Sequence, residues 1–115
     1  MTKREKVFEK CNGRCAYCGD VLPEKWHIDH LEPVNRCLKT KKMNKPERDV
    51  IENMMPACPS CNNYKHSFTL EVFRREVGLL VGRLNSTFTQ YKIAKRFGLV
   101  QETQNPVIFY FESIK

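Results

Sequence analysis

The chain has 115 residues, 41% of them hydrophobic and 29% charged, with a formal net charge of +7. That length suits one hydrophobic core and is short for two, and no apolar run approaches the roughly 18 residues of a membrane span, so no membrane-spanning helix is expected. The positive excess favours a polyanionic partner such as nucleic acid, and it falls in two clusters: Lys39, Lys41, Lys42, Lys45 and Arg48, then Arg74, Arg75, Arg83, Lys92, Lys95 and Arg96.

The opening MTKREKVFEK lacks the apolar stretch of a secretory signal, which points to a reducing cytoplasm where disulfides are not expected. Thr2 and Glu5 have capping-box spacing, and a short helical pattern runs through Val7, Phe8 and Cys11 to Gly13, with Cys11 as a small core residue. Trp26 to His30 reads as a strand with Trp26 and Ile28 on one side, and Pro33 stops further pairing. Arg36 to Glu52 reads as a long polar loop with a helical turn around Glu47 to Ile51; a loop of that length in a small domain points to binding. Cys37, inside it, has no assignable role. Asn53 to Ala57 forms a second extended segment, and a helix can begin at Cys61. The apolar spacing of Leu70, Phe73, Val77, Leu80, Val81 and Leu84 predicts a helix over Thr69 to Leu84, weakened by Gly78 and Gly82. Thr87 and Gln90 match another capping box before YKIAKRFG, which Gly98 terminates. Pro106 then precedes VIFYFE, expected as a last strand. No repeat or linker divides the chain, so residues 1–115 are expected to be one domain, with a core over 1–66 and a helical extension over 67–115.

Four of the six cysteines form two C-x-x-C pairs, Cys15 with Cys18 and Cys58 with Cys61. Two thiolates on a tight turn can bind one metal ion at tetrahedral angles, and the second pair closes a structural Zn²⁺ site with no open coordination position. Gly19 permits the left-handed backbone that ends such a turn. A redox role is disfavoured because no thioredoxin-like strand–helix unit surrounds either pair. Binding zinc through four thiolates lowers the net charge but leaves it positive. The interval from Cys18 to Cys58 is about twice that of an ordinary zinc ribbon, so a segment has been inserted between the knuckles.

That segment contains EKWHIDHLEP, which sets His27, Asp29 and His30 among Trp26, Ile28 and Leu31. The order of motifs around IDHLEP resembles the HNH endonuclease family, and hydrolysis of a phosphodiester, the activity that resemblance implies, needs an activated water and a cation that offsets charge on the phosphate and leaving oxygen. A neutral imidazole such as His30 can take the water's proton near pH 7. Asp29 and Asn62 offer hard oxygens suited to Mg²⁺ or Mn²⁺. Lys65, one turn beyond Asn62, could meet a phosphate.

In order along the chain, the zinc knuckles, IDHLEP, ENMMPAC and CNNYK resemble the HNH endonuclease family over about Cys15 to His66, and the later segments look like those of small phage-encoded HNH proteins. The resemblance implies an α+β fold with a ββα-metal (His-Me finger) core, stapled by zinc and extended by C-terminal helices and a strand. It implies His30 as general base, Asp29 and Asn62 as metal ligands, and Asn53 as the residue bracing the loop behind the base. Asn62 has the position of a helix cap as well, and His66, one turn on, could replace or assist it; His27 reads as surface or packing. Since neighbouring strand side chains point to opposite faces, Asp29 and His30 can share a site only if the strand bends or ends there.

The activity so implied is nicking of DNA at one site per chain, with double-strand cutting requiring a homodimer or another partner. Arg36, Lys41, Lys42, Lys65, Arg74 and Arg75 would hold the backbone, in the host cytoplasm if the chain is phage-encoded. Two rival readings are a non-catalytic zinc module that binds nucleic acid and an accessory interaction protein of a phage packaging machine.

Overall fold

Thr2 caps α1 (Lys3–Glu9) in both directions, its Oγ1 accepting the Glu5 N–H at 3.1 Å while the Glu5 carboxylate accepts the Thr2 N–H at 3.2 Å. Two otherwise unpaired donors of the first turn are thereby satisfied. The computed structural model describes residues 1–37 and 39–114. α1 buries Val7 and, just past its end, Cys11, which packs as a small apolar residue. The chain then turns back through the first knuckle, where Gly19 takes φ +81° and the Tyr110 ring lies 3.3 Å from where a Cβ would sit. The positive φ favours glycine there, and a Cβ would press on the Tyr110 ring.

β1 (His27–His30) pairs antiparallel with β2 (Met54–Ala57), with Ile28 opposite Pro56 and Asp29 opposite Met55. Trp26, expected in the strand, is buried but lies outside it: its carbonyl accepts the Arg4 guanidinium at 2.7 Å, and that guanidinium sits 3.9 Å over its ring. Pro56 has no N–H to give, but its carbonyl accepts from Ala16 N–H at 2.8 Å and so joins the sheet to the knuckle. β2 runs into α2 (Pro59–Lys65), which starts with Cys58 as N-cap and Pro59 in its first turn. The long loop contains two 3₁₀ turns, Pro46–Arg48 and Ile51–Asn53, in place of the single turn expected.

Three expectations for the C-terminal half are corrected. The apolar face over 69–84 is split into α3 (Leu70–Gly78) and α4 (Leu80–Thr87), because the chain turns at Leu79 directly after the weak helix former Gly78. The capping box at Thr87 does not form: Thr87 Oγ1 donates to the Arg83 carbonyl at 2.8 Å, and Phe88 is the N-cap of α5 (Thr89–Arg96). Gly98, at φ +74°, does follow the end of that helix. The last strand is absent among the described residues; residues 100–109 are unpaired and lead into a short helix, α6 (Tyr110–Ser113). What holds this segment is the core. Phe109 is 2% exposed, stacked on Phe73 at 5.3 Å and edge-on to Tyr17, while the N–H groups of Tyr110 and Phe111 donate to the carbonyls of Tyr17 and Ala16. The core is thus one cluster that includes Val7, Tyr17, Trp26, Met54, Phe73 and Phe109. Among the described residues no helix is long and apolar enough to cross a membrane.

Candidate active site and metal cluster

The sulfurs of Cys15, Cys18, Cys58 and Cys61 all lie within 4.8 Å of one another. A tetrahedral ion with bonds of about 2.3 Å needs sulfurs about 3.8 Å apart, and Cys18 and Cys58 stand 3.9 Å apart. Cys58 Sγ accepts the Cys61 N–H at 3.4 Å, so the residue that caps α2 also orients its own sulfur. Hydrogen bonding from Cys61 pulls the Cys15 thiol down to about 4, helped by the backbone N–H groups of Cys58, Cys18 and Tyr17. In turn Cys61 is pushed up by Cys15, and Cys18 is pushed up to about 11, first by burial. Packed this closely, four thiolates would repel one another, and a dication among them would offset that repulsion. Four soft donors in a closed set fit a structural Zn²⁺.

A cleft of about 750 Å³ is lined by Asp29, His30, Asn35, Arg36, Asn62 and His66, among others. Asp29 and His30 both line this cleft, and His30 is the last residue of β1. Beyond it the backbone is taken over by Asn53. Leu31 N–H donates to the Asn53 carbonyl at 2.8 Å, Glu32 N–H donates to Asn53 Oδ1 at 3.0 Å, and Asn53 Nδ2 donates to the Glu32 and Arg48 carbonyls at 2.8 and 2.7 Å. One amide side chain thus ties the segment after His30 to the long loop.

The Asp29 carboxylate is 7% exposed. Its Oδ2 accepts the Tyr17 hydroxyl at 2.5 Å and pairs with Lys65 Nζ at 3.0 Å. Burial, followed by the charge of Asp29, pushes the Tyr17 phenol far above its usual range, so it remains a donor. Among the described residues no partner is recorded for Oδ1. Lys65, expected at a phosphate, is instead fully buried, donating to the His30 carbonyl at 2.9 Å as well as pairing with Asp29. Its ammonium supports the site from behind.

Asn62 Nδ2 donates to His27 Nδ1 at 2.7 Å. An amide NH₂ can only donate, so His27 presents a lone pair at Nδ1, and among the described residues Asn62 Oδ1 has no partner. His27 was read from sequence as surface or packing. Its place two residues before Asp29, hence on the same strand face, was the available signal. Asp49, also missed, accepts from His30 Nε2 at 2.9 Å; nothing in its local sequence marks it. His66 is exposed at the end of α2, where it takes φ +48° and ψ −122°, and its Nδ1 hydrogen-bonds Ser67 Oγ at 3.1 Å.

The basic residues divide into two groups. Arg36 lines the cleft, Lys41 and Lys42 are exposed on the turn closed by the Arg36–Met43 bridge, and Arg75 is exposed on α3. Arg74, expected on the backbone of a nucleic acid, is instead a clamp: it binds Glu71, Glu112 and the Val107 carbonyl and lies 4.7 Å over the Phe109 ring. Arg83 and Lys95 are paired with Glu76 and Glu102.

A family model described as HNH endonuclease matches residues 15–68, from the first knuckle cysteine to just past the cleft. No curated protein and no solved structure matches the chain.

Proposed function

We propose that the chain, whose residues 15–68 match a family model described as HNH endonuclease, hydrolyses phosphodiester bonds of DNA in the cleft at the end of β1, within a ββα-metal core formed by β1, β2 and α2. The observation that carries this reading is the convergence on one cleft of a carboxylate, an imidazole and an amide, each with an atom left without a partner among the described residues: Asp29 Oδ1, His30 Nδ1 and Asn62 Oδ1.

Those atoms suit distinct tasks. His30 Nδ1 accepts the proton of the attacking water, because the other ring nitrogen is engaged by Asp49. Asp29 and Asn62 would hold a divalent cation, with hard oxygens of the kind Mg²⁺ and Mn²⁺ prefer. When bound, that cation offsets the negative charge that grows on the phosphate and the leaving oxygen. Lys65 and Tyr17 keep the Asp29 carboxylate fixed through its other oxygen. His27 holds the Asn62 amide so that its oxygen, and not its NH₂, is left for the cleft. Arg36 at the rim, with exposed Lys41, Lys42 and Arg75, supplies positive charge for the phosphate backbone, giving binding that weakens steeply with salt. Zinc in the four-cysteine cluster fixes the relation of the knuckle to α2 and takes no part in the chemistry.

Conversion of supercoiled plasmid to the nicked form in Mg²⁺ or Mn²⁺, with His30→Ala alongside, tests the proposal. The expected outcome is nicking by the wild type that falls at least about 100-fold in the variant, the scale of a lost general base. Plasmid binding without nicking, unchanged in His30→Ala, would identify a non-catalytic zinc module.

A further inference from the structure

The geometry points to Asp49 as a positioning residue that fixes the proton of His30 on Nε2 and so leaves Nδ1 as the basic atom facing the cleft. This inference rests on the nuclease reading for its kinetic consequence, although its structural core stands without it. His30 Nε2 lies 2.9 Å from Asp49 Oδ1. The Asp49 carboxyl is held below its usual value, chiefly by this hydrogen bond, and an ionised carboxylate can only accept. The ring proton therefore sits on Nε2, and in the neutral imidazole the lone pair sits on Nδ1.

The loop is fastened so as to present that carboxylate. Asp49 closes the 3₁₀ turn Pro46–Arg48, its N–H donating to the Pro46 carbonyl at 3.0 Å. Immediately before it, the Arg48 carbonyl accepts Asn53 Nδ2 at 2.7 Å and the Arg48 guanidinium donates to the Pro33 carbonyl at 3.0 Å. The same Asn53 amide holds Glu32. The flank of Asp49 is thus tied to the segment that directly follows His30, and the pair is set before substrate arrives. This gives the long loop, read from sequence as a binding element, a second task.

A plain surface ion pair is the alternative. The side chains are 22% and 38% exposed, and pairs so open add little to stability. Asp49→Ala is therefore expected to fold, and stability cannot be the main reason for the contact. Two measurements on the zinc-loaded full chain decide the matter. Without Mg²⁺, a ¹H–¹⁵N imidazole spectrum should show the wild-type His30 proton on Nε2 and slow to exchange with water, and Asp49→Ala should lose that slow exchange while the amide spectrum remains dispersed. With Mg²⁺, Asp49→Ala should lower kcat by about 10- to 100-fold, the usual cost of removing an outer-shell partner, with KM for plasmid unchanged. Asp49→Asn, which keeps an acceptor oxygen, should recover part of the loss. A wild-type His30 protonated on Nδ1, or an Nε2 proton whose exchange is indifferent to Asp49→Ala, overturns the inference. So does an Asp49→Ala enzyme with unchanged kcat. If the wild type does not cleave at all, the nuclease reading fails and the imidazole spectrum alone decides the role of Asp49.

Discussion

Lys65→Met is the most informative single perturbation of the scaffold, because it removes a charge whose burial is complete. Lys65 is 0% exposed and the Asp29 side chain 8%, at an N–O distance of 3.0 Å. Taking away the ammonium leaves a buried carboxylate with only the Tyr17 hydroxyl for support, and it frees the His30 carbonyl of its 2.9 Å bond. Breaking a buried pair from one side costs about 3–5 kcal/mol, and an orphaned buried carbonyl adds about 1–3 kcal/mol. These overlap, since both follow from one lost donor, and a net loss of about 4 kcal/mol is expected. Removing both charges in Lys65→Met with Asp29→Asn eliminates the desolvation cost of each ion, so the double variant should lie within about 2 kcal/mol of the wild type. Urea denaturation at fixed free zinc measures all four corners of the cycle, the metal being held constant because its binding is linked to folding. A Lys65→Met protein within about 1 kcal/mol of the wild type would refute the buried pair. A double variant as unstable as the sum of the two singles would refute the coupling.

Replacing Cys58 with Ser should abolish stoichiometric zinc in metal analysis and leave a largely unfolded chain, since structural zinc contributes on the order of 10 kcal/mol at neutral pH. Lowering the pH should release zinc from the wild type together with loss of the near-ultraviolet dichroism, because protons compete for the four thiolates. Phe109→Ala should cost about 3–5 kcal/mol in the same denaturation assay, as a 2%-exposed ring between Phe73 and Tyr17 is removed; a neutral result would detach the C-terminal segment from the core. His66→Gly should raise stability by about 1 kcal/mol, because φ +48° with ψ −122° is a conformation that favours glycine. A drop in plasmid nicking accompanying that gain would mark His66 as a functional side chain kept at the expense of backbone strain.

Residues whose placement was legible in the sequence are those for which the residue type is itself a signal. Paired cysteines report a metal cluster, and Asp29, His30, Asn53 and Asn62 stand out by order and chemistry. Asn53 as a brace came from the family resemblance, and its amide does bond the Glu32 backbone and the Arg48 carbonyl. Lys65 was not legible, because a lysine on a helix reads as solvated until the Asp29 carboxylate is known to face it from a strand distant in the sequence. Arg74 failed for the same reason: its charge counted towards a nucleic-acid patch, but Glu71 and Glu112 consume it. The break at Leu79 follows the weak helix former Gly78, whereas the unpaired stretch before Phe109 depends on tertiary packing, which overrides strand propensity. Asp49 lay hidden in a polar loop whose only distinguishing fact, its distance from His30, exists in three dimensions alone.

The most direct test of a catalytic cation held between strand and helix is a crystal of the zinc-loaded protein soaked in Mn²⁺, with anomalous scattering recorded above the manganese edge. The expected result is a peak bonded to Asp29 Oδ1 and Asn62 Oδ1, lost in Asp29→Asn while the zinc signal at the four cysteines persists. Manganese found only elsewhere at saturating concentration, with the two oxygens turned away from each other, would contradict the assignment.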